Sequence, residues 1–202
     1  MTIHFISMAE VRMSKTDKRE MVLHAALELI AEKGFHDAPM ATIAETAGVS
    51  AGTIYRYFEN KDDLIREIYS YLEGNIWAAI KKSYPEGRPI RERFLHIGQS
   101  LMGYFLVSPM EFRFIEQFQN SPYGVDCRRD KFFGKKDKDL VTELFEEGLN
   151  QQIIKDLPLP ILSALSFGPL IDACRDHILQ FIELDDTLIN QIIEANWDAI
   201  RR

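Results

Sequence analysis

Along most of this chain apolar residues recur at the three- and four-residue spacing of helices, and no segment shows the alternation of strands. Val22, Ala26, Leu29 and Ile30 make one such stripe in a helix predicted from Asp17, and Gly34 after Lys33 marks its stop. Ile43, Ala44 and Ala47 share one side of a short helix over residues 40–47, which Gly48 breaks. Ser50 is placed to cap a second short helix, in which Ile54 and Phe58 face inward. Asn60 then caps a long helix from 61 to about 82, with the stripe Leu64, Ile68, Leu72, Ile76 and Ala79. Asp62 and Asp63 suit the positive end of its dipole.

Pro85, Gly87 and Pro89 interrupt the pattern. Beyond them the periodicity predicts helices over roughly 90–107, 110–119, 138–152, 159–182 and 185–201. The stretch 121–138 is polar, with Arg128, Arg129, Lys131, Lys135, Lys136 and Lys138 among acids, and reads as a solvated loop. Residues 157–182 are apolar nearly all round. Pro169 there removes the N–H that would bond to Leu165, so a kink is expected near Gly168 and Pro169. The last helix lines up Leu188, Ile192, Ala195 and Ala199, with Ile189, Ile193 and Ile200 beside them, a wide apolar face. The fold class is all-α. Residues 1–16 read as a flexible N-terminal arm, with Met8 and Met13 as alternative starts to Met1.

Composition narrows the function. Apolar residues make up 46% of the 202 and charged ones 27%, an ordinary globular balance. The longest stretch without Asp, Glu, Lys or Arg, from Phe94 to Met110, contains His96, Gln99, two glycines and a proline, so it reads as a buried helix and not a membrane span. No signal peptide is visible, and two cysteines, Cys127 and Cys174, fit a reducing cytoplasm. Net charge is −7, and the first 66 residues are themselves slightly acidic. A nucleic-acid partner must therefore be argued from placed residues.

The informative segment is 40–58: two short helices joined at Gly48, the helix-turn-helix arrangement. The second shows small and hydroxyl groups first, Ser50, Ala51, Gly52 and Thr53. Tyr55, Arg56 and Tyr57 follow. Small residues let a helix end approach base edges in a major groove, and its free N–H groups favour phosphate. Tyrosine hydroxyls, Arg56 and Lys61 are suitable phosphate donors beside it. The same pattern also fits a helical hairpin with an exposed aromatic patch.

The run Ile43-Ala44-x-x-Ala47-Gly48-Val49-Ser50-x-Gly52-Thr53-Ile54-Tyr55-x-Tyr57-Phe58-x-x-Lys61-x-x-Leu64 closely resembles the signature of TetR/AcrR-family transcriptional regulators. The preceding residues 25–35 look like that family's first helix. The resemblance implies a DNA-binding head at 17–66, joined through a long helix to a ligand-binding and dimerisation body at 67–202. It also implies a homodimer, and repression of an operator relieved by a small ligand. Carried over by position, Ser50, Ala51, Gly52 and Thr53 would face bases or nearby phosphates. Tyr55, Tyr57 and Lys61 would grip phosphate, and Arg56 would do either. Two positions depart from the family pattern. Ala51 stands where Lys is frequent, and Pro39 stands where a Thr often starts the second helix, which removes a hydroxyl cap.

In the body, Trp77, Phe105, Phe114, Phe118 and Phe167 are candidates to line a ligand pocket. Aromatics at helical spacing equally fit a plain core. Cys174 and His177 are three apart, with Asp172 and Asp176 near, but no second cluster completes a metal site. No phosphate-cradling glycine loop or nucleophile motif appears, so neither an enzyme nor a cofactor is expected. The expected protein is a cytoplasmic, dimeric repressor released from a palindromic operator by a small inducer. The alternative is a DNA-binding architectural or protein-interaction factor without one.

Overall fold

The stripe at Val22, Ala26 and Ile30 is completely buried, which is why α1 (Lys15–Lys33) forms where the periodicity places it. The structure, a computed structural model, describes residues 15–133 and 139–202. The expected N-terminal arm therefore lies outside the described residues, except that residues 15 and 16 already belong to α1. The other helices are α2 (Met40–Thr46), α3 (Ala51–Ile54), α4 (Lys61–Lys81), α5 (Ile90–Val107), α6 (Pro109–Gln119), α7 (Pro122–Phe133), α8 (Leu140–Asn150), α9 (Leu159–Ile178) and α10 (Asp186–Ile200). Among the described residues there is no strand; one isolated antiparallel bridge pairs Ile154 with Arg201. The fold is all-α.

The chain divides into two compact units, Met1–Ile68 and Tyr69–Arg202, and α4 runs unbroken across the division. In the first unit α1 packs on α2 and α2 on α3. Ile43, Ile54, Phe58, Leu64, Ile65 and Ile68 complete its core.

In the second unit α5 is central to the packing of α8, α9 and α10. Gly98 lets α10 come close: a Cβ there would stand 2.9 Å from Ile193 Cγ2. Phe94 packs on Trp197 and Phe167, and Phe145 packs on Phe167. The buried Asn196 amide donates to the Ser166 carbonyl at 2.9 Å, tying α10 to α9. Around α6, a second aromatic group stacks Tyr69, Phe114 and Tyr123 against Phe118.

Two expectations are corrected here. The predicted loop over 121–138 contains α7; Lys135, Lys136 and Lys138 lie outside the described residues. Ser121 stands before Pro122, and its hydroxyl oxygen accepts the Gly124 N–H at 3.5 Å while its O–H donates to the Phe118 carbonyl at 2.6 Å. Proline tolerates the first helical turn, where its missing N–H costs nothing. The helix predicted to reach residue 182 ends instead at Ile178. Gln180 takes φ 63°, and the N–H groups of Gln180 and Phe181 close on the His177 and Asp176 carbonyls at 3.0 and 2.8 Å. This is the reverse turn that ends many helices. At Pro169 α9 continues without a break, with the proline on its exposed side.

Candidate nucleic-acid interface

Gly48 makes the turn between α2 and α3. Its φ of 65° is one that L side chains rarely adopt, and its N–H and that of Val49 close on the Glu45 and Ala44 carbonyls, both at 3.0 Å. The chain then reverses into Ser50, whose hydroxyl accepts the Thr53 N–H at 3.3 Å and pairs with the Thr53 hydroxyl at 2.9 Å. α3 itself is only four residues long, one turn, and cannot be stable alone. It is held by its two buried anchors, Ile54 and Phe58.

That anchoring decides what α3 presents. Ser50, Ala51 and Gly52 are exposed and Thr53 is half-exposed, so the helix begins with small side chains and free N–H groups facing solvent. Tyr55 is 57% exposed, Arg56 is exposed, and Tyr57 is half-buried with its ring against Phe58. The Arg56 guanidinium makes no ion pair or hydrogen bond among the described residues. Pro39 is the residue just before α2 and provides no side-chain cap; its carbonyl accepts the Ile43 N–H at 3.1 Å.

Lys61 is more committed than its sequence position suggests. Its ammonium donates to the Phe35 carbonyl in the turn after α1. Burial lowers its pKa, and Asp62 and Asp37 oppose that shift. Lys61 thus braces the head, and this bond uses only one of the three donors of its ammonium. Replacing it with alanine is expected to weaken DNA binding on all sequences and to lower the salt slope by about one. It should also lower head stability by about 1 kcal/mol, read from DNA-free melting. An unchanged salt slope removes Lys61 from the phosphate contacts.

Two supports were not visible in the sequence. Arg19 on α1 lies over the Phe58 ring at 5.4 Å and pairs with Glu67 on α4 at 2.5 Å. Asp63 accepts the Glu59 N–H at 3.0 Å, while its own N–H donates to Asn60 Oδ1 at 2.9 Å. Together they fix the turn that delivers Tyr57 and Lys61. A shallow cleft of about 450 Å³ elsewhere in this unit is lined by Glu20, Met21, His24, Ala25, Glu28, Thr46 and Ala47. Its carboxylates repel phosphate, and it contains none of the expected DNA contacts.

The expected pocket residues are divided among different ring contacts. Phe105, Phe114 and Phe118 are fully buried, Phe105 against Phe112 and Phe114 against Phe118. Phe167 sits with Phe94 and Phe145, and Trp77 is half-buried. A cleft of about 390 Å³ in the second unit is lined by none of these five. Cys174 is buried, which pushes its thiol pKa up to about 11, and His177 Nδ1 accepts the Leu184 N–H at 3.2 Å. Among the described residues no group of three His, Cys, Asp or Glu side chains is placed to hold a metal. No helix among them is long and apolar enough to cross a membrane.

Comparison with known proteins adds to this geometry. Residues 22–68 match the family described as bacterial regulatory proteins, tetR family. Residues 89–201 match a tetracyclin repressor-like C-terminal domain. A helix-turn-helix-type transcriptional regulator of Haemophilus influenzae is 27% identical over 200 residues, covering 95% of this chain and 100% of that one. A TetR-family transcription regulator of Marinobacter aquaeolei superposes with a TM-score of 0.80 at 25% identity, over 92% of this chain and 96% of that one. A TetR-family protein of Vibrio parahaemolyticus gives a TM-score of 0.73 at 31% identity, over 92% and 99%. These relatives are regulators, not enzymes.

Proposed function

Because the chain belongs to the TetR family and is a DNA-binding transcriptional regulator, we propose that it is a homodimeric repressor, released from a near-palindromic operator by a small apolar or amphipathic ligand. Residues 17–66 are the DNA-binding head and 67–202 the ligand-binding and dimerisation body. The observation that carries this reading is the outward start of α3, Ser50 to Thr53, fixed from beneath by Ile54 and Phe58. Those four residues meet base edges or nearby phosphates, while Tyr55, Tyr57 and Lys61 hold the backbone and Arg56 serves either. Two heads one helical turn apart, about 34–36 Å, would read the two half-sites.

Dimerisation draws support from α9 and α10. Ile193, Trp197 and Ile200 turn one face of α10 into the core, leaving Ala195 exposed and Leu188, Ile192 and Ala199 half-exposed. On α9, Ile161 is 47% and Leu165 36% exposed, and Pro169 continues the same line. Apolar faces of this kind are what two copies bury when four helices pack. A ligand acts through α4, the helix common to both units, and the degree of release follows its differential affinity for the bound and free arrangements. Trp77, Phe105, Phe114, Phe118 and Phe167 are the aromatic residues through which the body would respond. DNA as partner and two free cysteines support a cytoplasmic location.

Selection of bound sequences from random duplex DNA at two salt concentrations tests this. An inverted repeat is expected. Binding without a consensus that disappears at physiological salt overturns the operator reading. Changing Thr53 to alanine should shift the preferred bases, by about 1 kcal/mol at an affected position. A uniform loss across all sequences would remove Thr53 from base reading.

A further inference from the structure

We propose that the groove where the start of α6 meets the end of α9 binds a small aliphatic carboxylate, with Arg113 receiving the acid group. The groove measures about 390 Å³ and is lined by Leu106, Pro109, Arg113, His177, Ile178 and Gln180. That volume lies toward the lower end of small-molecule sites, about 300–1,000 Å³. Leu106, Pro109 and Ile178 form its apolar wall.

Arg113 is exposed, and its guanidinium makes no ion pair or hydrogen bond among the described residues. No acid is among the groove's lining residues, and the acid one turn further along α6 is already paired. Glu116, three residues along the same helix, is held by Arg175 at 2.5 Å, and the same guanidinium holds Asp172 at 2.6 Å. A cation without a counter-ion beside an apolar wall is complementary to an anion with an apolar body.

Three further features favour the negative end of such a ligand. His177 Nδ1 accepts the Leu184 N–H, so the neutral ring carries its proton on Nε2 and is a donor there. The Ser108 side chain caps none of the first N–H groups of α6, leaving the positive end of that helix beside Pro109. Its one first-turn acid, Glu111, is engaged by the Tyr104 hydroxyl. On the other side, carbonyls at the end of α9 that would repel an anion are closed off. The N–H groups of Leu179, Gln180 and Phe181 donate to Arg175, His177 and Asp176 at 2.9, 3.0 and 2.8 Å. Asp176 itself is not among the lining residues.

This deepens the proposed ligand response and rests on it only for the consequence at DNA; binding in the groove stands by itself. The test is isothermal titration of the full chain with decanoate, decanol and decylammonium at up to about 1 mM. Decanoate is expected to bind one per chain, with Kd on the order of 0.1 mM or tighter, and better than decanol or decylammonium. Arg113→Gln should weaken decanoate at least about tenfold and leave decanol unchanged. A thermal melt of this surface variant checks that it folds as the native chain does. Equal affinity for decanoate and decanol, or an Arg113→Gln chain that keeps its decanoate affinity, overturns the proposal, as does no decanoate binding at all.

Operator retention is followed separately by fluorescence anisotropy. Decanoate bound through Arg113 with the operator retained removes that acid as inducer but leaves the groove site intact. Release by a different compound, with no decanoate bound, sinks the groove and spares the inducer reading.

Discussion

Replacing Phe58 with alanine is expected to abolish operator binding while the helical body stays folded. Phe58 is 1% exposed and, with Ile54, is what pins the one-turn α3 to the rest of the head. Removing a buried phenylalanine costs about 3–5 kcal/mol. The unit that must absorb this ends at Ile68, a small domain whose total stability is of the order of 5 kcal/mol. The substitution also takes away the ring beneath Arg19, so the guanidinium that bridges α1 to Glu67 loses its second contact. Circular dichroism on heating should show a low-temperature loss of head helix ahead of the main transition, and anisotropy with the selected operator should show no binding. Operator affinity within about threefold of native would mean that α3 is held by something other than Phe58. Tyr57→Phe is the control: it removes only a hydroxyl, so binding should weaken on every sequence without a change in melting.

The second large effect is in the body, at Gly124. A Cβ built there would stand 2.4 Å from the Phe118 carbonyl oxygen and 2.6 Å from both Gln119 Cα and its carbonyl oxygen. All three are backbone atoms at the end of α6 and cannot swing aside as a side chain would. Gly124→Ala must therefore push α7 off α6, breaking the Ser121 cap and the Tyr123–Phe118 stacking, at a cost of about 3 kcal/mol. Gly74, inside α4, gives the opposite sign. Nothing lies within 4 Å of a Cβ at that position, so Gly74→Ala should stabilise by roughly 0.5–1 kcal/mol through helix propensity alone. Chemical denaturation of the two variants separates the cases; a neutral Gly124→Ala would mean that the α6–α7 corner relaxes freely.

How much of this was legible beforehand depended on how local each signal is. The head was readable because its punctuation sits within a few residues of what it controls: Gly34, Gly48, Ser50 and Asn60 each act on the adjacent turn. The bracing of that head was not. Arg19 finds Phe58 and Glu67 across 39 and 48 positions of sequence, and no periodicity marks such a pair. α7 was missed for a different reason. Its helix exposes most of its described residues, so it carries no apolar stripe to detect. The readable cue was the Ser121–Pro122 step, a cap followed by a proline at the first helical position. Phe105, Phe114 and Phe118 are buried, as helical spacing in a plain core allows, yet which rings meet depends on which helices face each other. The groove at Arg113 was invisible because it joins the turn between α5 and α6 to the end of α9.

The outward face of α3 and its inward anchors fall on different residues, and that separation bears on how such a protein diverges. Ser50 to Thr53 contribute little to the core, whereas Ile54 and Phe58 are completely enclosed. With α3 reading DNA as proposed, point changes at Ala51 or Gly52 would alter which sequence is recognised without drawing on the stability of the head. A duplicated gene could therefore drift to a new operator through folded intermediates at every step.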